Sequence, residues 1–358
     1  MRVLIVSNLY PDARQPAFGT FVAAHADALR RAGADVAVVA ISGVRVHRAQ
    51  VRKYLSLAVR AVWAGLAARV RHARPQVVEA HVAYPTAIIG LLAARLAGAP
   101  LVVYCHGTDV MGLALRSSSH HAIAMWLLKR AQLVVANSIF TRDLLESRYG
   151  IKPARLIVLS PGVDLGLFSG PDLGRYPREI LYVGWLSSQK GVYELMQATA
   201  DLGDAQVRLR FVGGGPERAG LEKAAAMAGV RAEFTGPLPH LEAAQRMRQA
   251  AVIAMPSIHP EGLGLAALEA MAAGAMTVAS AAGAIGELVE DGETGWLVEP
   301  GNVAALTAAL RDALGVASAV DPARRELLRK RGMAKALEHD IDAIARRTLT
   351  VYQSLGGH

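Results

Sequence analysis

The stretch Glu261-Gly-Leu-Gly-Leu-Ala-Ala-Leu-Glu269, continued by Ala-Met-Ala-Ala-Gly274, decides how this chain is read. Gly262 and Gly264 disfavour helix whereas Leu265 to Ala273 are good helix formers, so a loop turns into a helix near residue 264. Glu261 then stands at the helix mouth, and Glu269 one turn in. Unpaired N–H groups at a helix start, with the positive end of the helix dipole, make a site for an anion such as a diphosphate. A carboxylate on either side can accept hydrogen bonds from hydroxyl groups. A sugar, a diphosphate and a ribose would use all three features; a surface helix with two solvated glutamates would use none.

Outward from this stretch, strand-like and helix-like segments alternate from the first residue, which predicts parallel sheets covered by helices. Strands are expected near 2–7, 35–41, 76–81, 101–105, 132–136 and 156–159, then near 179–184, 207–212, 231–235, 251–255 and 276–279. Ser160 to Arg178 holds Pro161, Gly162, Gly170, Pro171, Gly174 and Pro177, a density of helix breakers that marks a domain boundary. Residues 322–356 read as helix. In open α/β sheets ligands bind at the carboxyl ends of strands, which singles out His106 in His106-Gly-Thr-Asp109. A histidine there is as readily structural, and Asp109 reads equally as a helix cap. Asn137-Ser138 also reads as a cap for the helix that follows.

At 358 residues, with 53% hydrophobic and 19% charged, the chain suits two ordered globular domains. A single cysteine, Cys105, excludes an intrachain disulfide and suits a reducing compartment. The first apolar run is too short for a signal peptide. Val82 to Cys105 carries only Arg95 as a formal charge, but Pro85, Gly98 and Pro100 break it, so a helix near 86–97 and a buried strand are expected rather than a membrane span. Charge is uneven: residues 1–165 carry net +12 and the rest net −3. Between Val36 and Val78 no acid stands against Arg45, Arg48, Arg52, Lys53, Arg60, Arg69, Arg71 and Arg74. Interleaved Tyr54, Leu55, Leu57, Val59, Val62, Trp63, Leu66 and Val70 make this a basic amphipathic helix, near 45–74, suited to an anionic membrane surface. The alternative is that its apolar stripe packs on its own domain. Nucleic acid as a partner suits this apolar content less well.

The run EGLGLAALEAMAAG resembles the Glu-x7-Glu signature of retaining glycosyltransferases of family 4. Tyr182-Val-Gly-Trp-Leu-Ser-Ser-Gln-Lys-Gly191, Phe211-Val-Gly-Gly-Gly-Pro-Glu217, Ser160-Pro-Gly-Val-Asp164 and Asp291-Gly-Glu-Thr-Gly-Trp-Leu-Val298 resemble further family landmarks, in family order. The resemblance implies a GT-B fold: two Rossmann-like α/β domains facing across a cleft, with the last helix crossing back to the first. It implies an acceptor domain at 1–165, a nucleotide-sugar domain at 166–340 and a returning helix at 341–358. Together with the basic helix, it points to transfer of a hexose to a lipid-linked or cell-envelope glycan by an enzyme peripheral on the cytoplasmic face of the membrane. A glucosyltransferase acting on DNA and a catalytically silent sugar-binding relative are the alternatives.

Carried over residue by residue, the resemblance gives catalytic roles to His106, Lys190 and Glu261. Donor contacts fall to Gly19, Gly184, Trp185, Lys190, Gly213, Leu238, Glu261, Gly262, Leu263, Gly264, Leu265 and Glu269. His106, Asp109 and Ser138 fall on the acceptor side. No cofactor is expected beyond the nucleotide-sugar co-substrate, and no metal, since no Asp-x-Asp stands at a strand end. Trp185 departs from the family, which often has arginine there. An indole has one N–H donor and no charge, so the diphosphate charge is expected to rest on Lys190.

Overall fold

A computed structural model describes residues 1–13, 15–42, 47–70, 74–112, 117–170, 174–318 and 321–355. Arg45, Arg71 and Pro171, which entered the sequence reading, lie outside the described residues. The chain forms two compact units, Met1–Gly162 with Ile341–His358, and Val163–Asp340. The division falls just before the boundary expected after residue 165, at the Gly162-Val163 step of the breaker-rich linker.

The first unit runs β1 (Arg2–Ser7), α1 (Thr20–Arg31), β2 (Asp35–Ala40), α2 (His47–Val70), β3 (Val77–His81), α3 (Thr86–Ala97), β4 (Leu101–Cys105), α4 (Thr108–Met111), α5 (Ser118–Leu128), β5 (Leu133–Ala136), α6 (Ile139–Tyr149) and β6 (Leu156–Val158). Its strands lie in the order β2-β1-β3-β4-β5-β6, all neighbours parallel. Central strands β3 and β4 are buried at every position, as a sheet covered on both faces requires.

The second unit runs α7 (Leu165–Phe168), β7 (Tyr176–Val183), α8 (Val192–Asp201), β8 (Arg208–Val212), α9 (Arg218–Ala228), β9 (Arg231–Gly236), α10 (His240–Gln249), β10 (Ala250–Met255), α11 (Leu265–Ala272), β11 (Met276–Ser280), β12 (Trp296–Val298), α12 (Val303–Ala317) and α13 (Pro322–Glu338). Its parallel sheet has the order β12-β11-β10-β7-β8-β9. The chain then returns to the first unit as α14 (Ile341–Leu355), which packs on α1, with Arg31 bonded to Asp342 at 2.7 Å.

Two expectations need correction. Residues 322–356 are two helices, not one: α13 ends at Glu338 and α14 starts at Ile341. Neither glycine nor proline marks the break; the carbonyl of His339 instead accepts from Val163 N–H at 2.9 Å. The short strand β12 was not read. It pairs with β11 through only three residues and follows a tight turn at Asp291–Gly295.

No single helix among the described residues is long and apolar enough to cross a membrane. The apolar stretch 82–105 is α3 followed by the buried β4.

Candidate active site

In each sheet one pair of neighbouring strands marks where the winding reverses, and such switch points are where doubly wound folds open a crevice at the strand carboxyl ends. In the second unit that pair is β7 and β10. Lys190 follows β7 and Glu261 follows β10. Lys190 Nζ meets Glu261 Oε1 at 2.5 Å, and Ser257 Oγ donates to the same oxygen at 2.5 Å. Among the described residues Glu261 Oε2 has no protein hydrogen-bond partner. The backbone of Glu261 is fixed as well: its N–H donates to Ala282 O and its carbonyl accepts from Ala284 N–H. Gly283 permits this bridge. A Cβ there would stand 2.4 Å from Glu261 O, at a φ of +64°.

Gly264 caps α11 in the left-handed conformation, and its N–H and that of Leu265 have no partner among the described residues. Gly262 and Leu263 form the approach, with Leu263 buried in the core beneath. Glu269, further along the same helix, lies 3.5 Å from His240 Nε2 of α10. Gly184 and Gly213 let the loops after β7 and β8 cross. A Cβ on Gly213 would stand 1.8 Å from Gly184 O. The next rungs are Leu186 N–H to Gly214 O and Gly213 N–H to Gly236 O, both 2.9 Å. Trp185 is exposed beside this crossing, its ring 3.9 Å from where a Gly214 Cβ would be. Leu238 is half-buried in the loop after β9. A cavity of about 580 Å³ lined by Arg175, Arg248 and Arg329 lies at the other, amino ends of β7, β10 and β11 and is no part of this site.

In the first unit the switch falls between β1 and β3. Gly19 caps α1 after β1, so close to Leu9 that a Cβ would stand 2.4 Å from its carbonyl carbon. His106, half-buried at the end of β4, is bridged through Nε2 to Nδ1 of His81 at 3.0 Å. His81 Nε2 lies 3.2 Å from Glu79 Oε2, which His25 Nε2 of α1 also meets at 3.1 Å. Burial alone raises the Glu79 carboxyl, but the charge of His25 and hydrogen bonds from both histidines overcome it and hold it well below the usual range. Burial pushes the His81 and His106 imidazoles down.

Asp109 and Ser138 both make hydrogen bonds within the fold. The Asp109 carboxylate is buried and accepts from Ala83 N–H at 2.8 Å and His106 N–H at 2.9 Å, clamping the loops after β3 and β4 together. Burial raises its carboxyl despite those donors. Ser138 is buried and caps α6, accepting from Thr141 N–H at 3.0 Å. Ser138 is thus the helix cap that its position offered, whereas Asp109 ties two loops together and does not cap α4, whose N-cap is Gly107. Next to the clamp Val82 sits at φ +80°, a strained conformation for a β-branched residue.

Sequence reasoning missed Ser257, His240 and the His25, Glu79, His81 group. The last had a signal: Glu79 and His81 stand two apart on an otherwise apolar buried strand and so share one face. For His240 and Ser257 only position at a strand or helix end pointed inward. Among the described residues, His25, Glu79 and His81 are also the set whose ligand atoms come within 4.8 Å of one another. The adjoining gap of about 10 Å³ is barely room for one water, and their spacing is that of hydrogen bonds.

A family model described as "Glycosyltransferase Family 4" matches residues 18–167 and one described as "Glycosyl transferases group 1" matches 172–326. Among curated proteins, a glycogen synthase of Mycobacterium tuberculosis is 31% identical and aligns with 98% of this chain and 94% of its own. A D-inositol 3-phosphate glycosyltransferase of Thermomonospora curvata is 32% identical over 74% of this chain and 68% of its own. Among solved structures, HepE of Anabaena in complex with UDP is 22% identical, with a TM-score of 0.77 over 99% of this chain and 100% of that one. Sucrose-phosphate synthase from Thermosynechococcus elongatus, 21% identical, has a TM-score of 0.79 over 99% of both. The structural likenesses give the fold, GT-B, and the sequence relatives give the lineage: the chain belongs to the family 4 glycosyltransferases, enzymes that draw on a nucleotide sugar.

Proposed function

We propose that the chain is a retaining hexosyltransferase that works at the cytoplasmic face of a membrane and delivers a hexose to a lipid-linked or cell-envelope glycan. The observation that carries the donor half is the Lys190–Glu261 pair at the switch of the second sheet, beside the open N–H groups of Gly264 and Leu265. Lys190 and that helix start would take the diphosphate, Oε2 of Glu261 a sugar hydroxyl, and Glu269 the ribose. Trp185 packs beside the donor and supplies no charge. On the acceptor side His106 is the group that meets a hydroxyl, with Asp109 holding its loop. Rate would come from positioning and from charge placed where the leaving diphosphate develops its own. The chemistry of these residues calls for no metal.

The membrane half rests on α2. Tyr54, Leu57, Ala58 and Ala61 pack into the core, yet Val51, Leu55, Val59 and Trp63 on another face are 61–74% exposed. An exposed apolar row of this kind, with Arg52 and Arg60 alongside, suits insertion at an anionic lipid surface. A second reading is favoured by the named relatives: a glucan or polyol acceptor free in solution. Incubating the protein with labelled UDP-, GDP- and ADP-hexose, offered a polyprenyl-phosphate-linked glycan or a soluble glucan, tests both. Transfer to the lipid-linked acceptor alone supports the proposal, and transfer to the soluble one alone overturns its acceptor half.

A further inference from the structure

The row Glu79–His81–His106 runs from two buried side chains of β3 to the half-buried His106, and its geometry bears on which nitrogen of His106 carries the proton. A carboxylate oxygen only accepts, so the 3.2 Å approach of His81 Nε2 to Glu79 Oε2 requires a hydrogen on Nε2. Neutral His81 then has a bare Nδ1. That nitrogen lies 3.0 Å from His106 Nε2, which must therefore be the protonated nitrogen of His106. Its Nδ1 is left bare, and among the described residues no protein group is bonded to it.

The geometry points to Glu79 and His81 as positioning residues that hold His106 in its neutral Nε2–H tautomer, presenting Nδ1 as a hydrogen-bond acceptor for a substrate hydroxyl. This rests on the reading of His106 as the acceptor-side group.

The surroundings agree from every element packed there. His25 of α1 shares Glu79 Oε2 at 3.1 Å and leaves the carboxylate ionised. Tyr104 of β4 and Tyr352 of α14 are bonded to each other at 3.2 Å, and both phenols are raised by burial and then by the Glu79 charge, so they stay neutral. The rings of His81 and His106 lie within 11° of parallel with centroids 5.3 Å apart, the separation of an edge-to-edge N–H···N bond, and Tyr104 packs against the pair, 4.8 Å from His81 and 6.3 Å from His106, which fixes their planes. Phe21 closes on His106 at 4.8 Å. A buried imidazole whose second nitrogen is held by a carboxylate is the general device by which proteins choose a tautomer.

Two arms test it. In the unmutated protein, nitrogen-15 spectra of labelled histidine at pH 7 should show His106 protonated at Nε2 and bare at Nδ1; the reverse overturns the inference. In Glu79→Gln, whose amide donates as well as accepts, this order is lost. Its kcat/KM for acceptor should fall about 10- to 100-fold and its pH profile should shift, while nucleotide-sugar binding by calorimetry stays at the wild-type value. Unchanged turnover and pH profile in Glu79→Gln with intact donor binding overturns the relay alone. A wild type that binds no nucleotide sugar strikes the donor reading instead. Stoichiometric metal in the purified protein, lost in Glu79→Gln, also overturns the inference.

Discussion

Glu261 is held at two levels that respond differently to mutation. Its side chain meets Lys190 and Ser257, and its backbone is stitched to Ala282 and Ala284. Glu261→Ala removes only the first, so the fold should survive while transfer falls about ten- to a hundredfold, the loss of one charged hydrogen bond of roughly 1.5–3 kcal/mol. Steady-state kinetics beside a thermal melt checks this, and wild-type turnover would refute the assigned role. Trp185 is the complementary case. Its side chain is exposed, and its carbonyl accepts from Tyr182 Oη at 2.9 Å and from Ser187 N–H at 3.0 Å. Trp185→Arg should fold normally and bind nucleotide sugar as tightly as wild type or more so, whereas weakened binding would show that the indole itself holds the donor.

Elements rather than single side chains carry the next two expectations. The loop after β11 approaches Glu261 so closely that Gly283→Ala must push the two backbones apart. Left-handed backbone costs a non-glycine residue roughly 1–2 kcal/mol, so a modest drop in melting temperature should accompany a larger loss of transfer. Equal and small losses would mean that the bridge does not position Glu261. For α2, sedimentation with anionic vesicles should weaken on Trp63→Ala, since burying a large apolar side chain is worth about 1.5–3 kcal/mol. Neutralising Arg52, Lys53 and Arg60 together should weaken it further, by about 1 kcal/mol for each charge near the surface. Lys53 and Arg60 also bond the carbonyls of Ser42 and Ala40, so the apolar variant is the cleaner test. Equal sedimentation of all forms would remove the membrane role.

The same scale shows what the sequence could reveal. Strands such as β4 and β10 were legible because fully buried parallel strands are unbroken apolar runs, and the Glu261 loop was legible because two glycines precede a helix. The break between α13 and α14 was not, because the bond from Val163 that accompanies it comes from more than 170 positions away. Asp109 and Ser138 show the limit for side chains: their residue types suit a ligand or a cap equally, and only the N–H groups folded against them decide. The two apolar faces of α2 were read as one stripe, since interleaving alone does not say which face finds a partner.

At the scale of the whole molecule, buried titratable groups tie stability to pH. His81, His106 and His339 are all pushed below the usual histidine range, with burial the leading cause. Unfolded, each takes up a proton near pH 6.5 that the folded protein resists, so the unfolded state gains as pH falls through that value. Glu79 acts in the same direction at lower pH, because its depressed carboxyl gives stability that is present above about 4.3 and lost below it. Urea midpoints should therefore fall between pH 7.5 and 5.5, at up to about 1.4 kcal/mol per pH unit for each histidine. Constant midpoints would mean that these imidazoles are protonated in the folded protein.

The donor site of the second unit is the centre of the proposed function, and calorimetry of nucleotide-sugar binding tests it most directly. Wild type should bind one of the UDP-, GDP- or ADP-hexoses at a single site, and Lys190→Ala, which loses the fixed charge beside Gly264 and Leu265, should lose nearly all of that binding while keeping its fold. Binding by Lys190→Ala as tight as wild type, or no binding by wild type to any of the three, would contradict it.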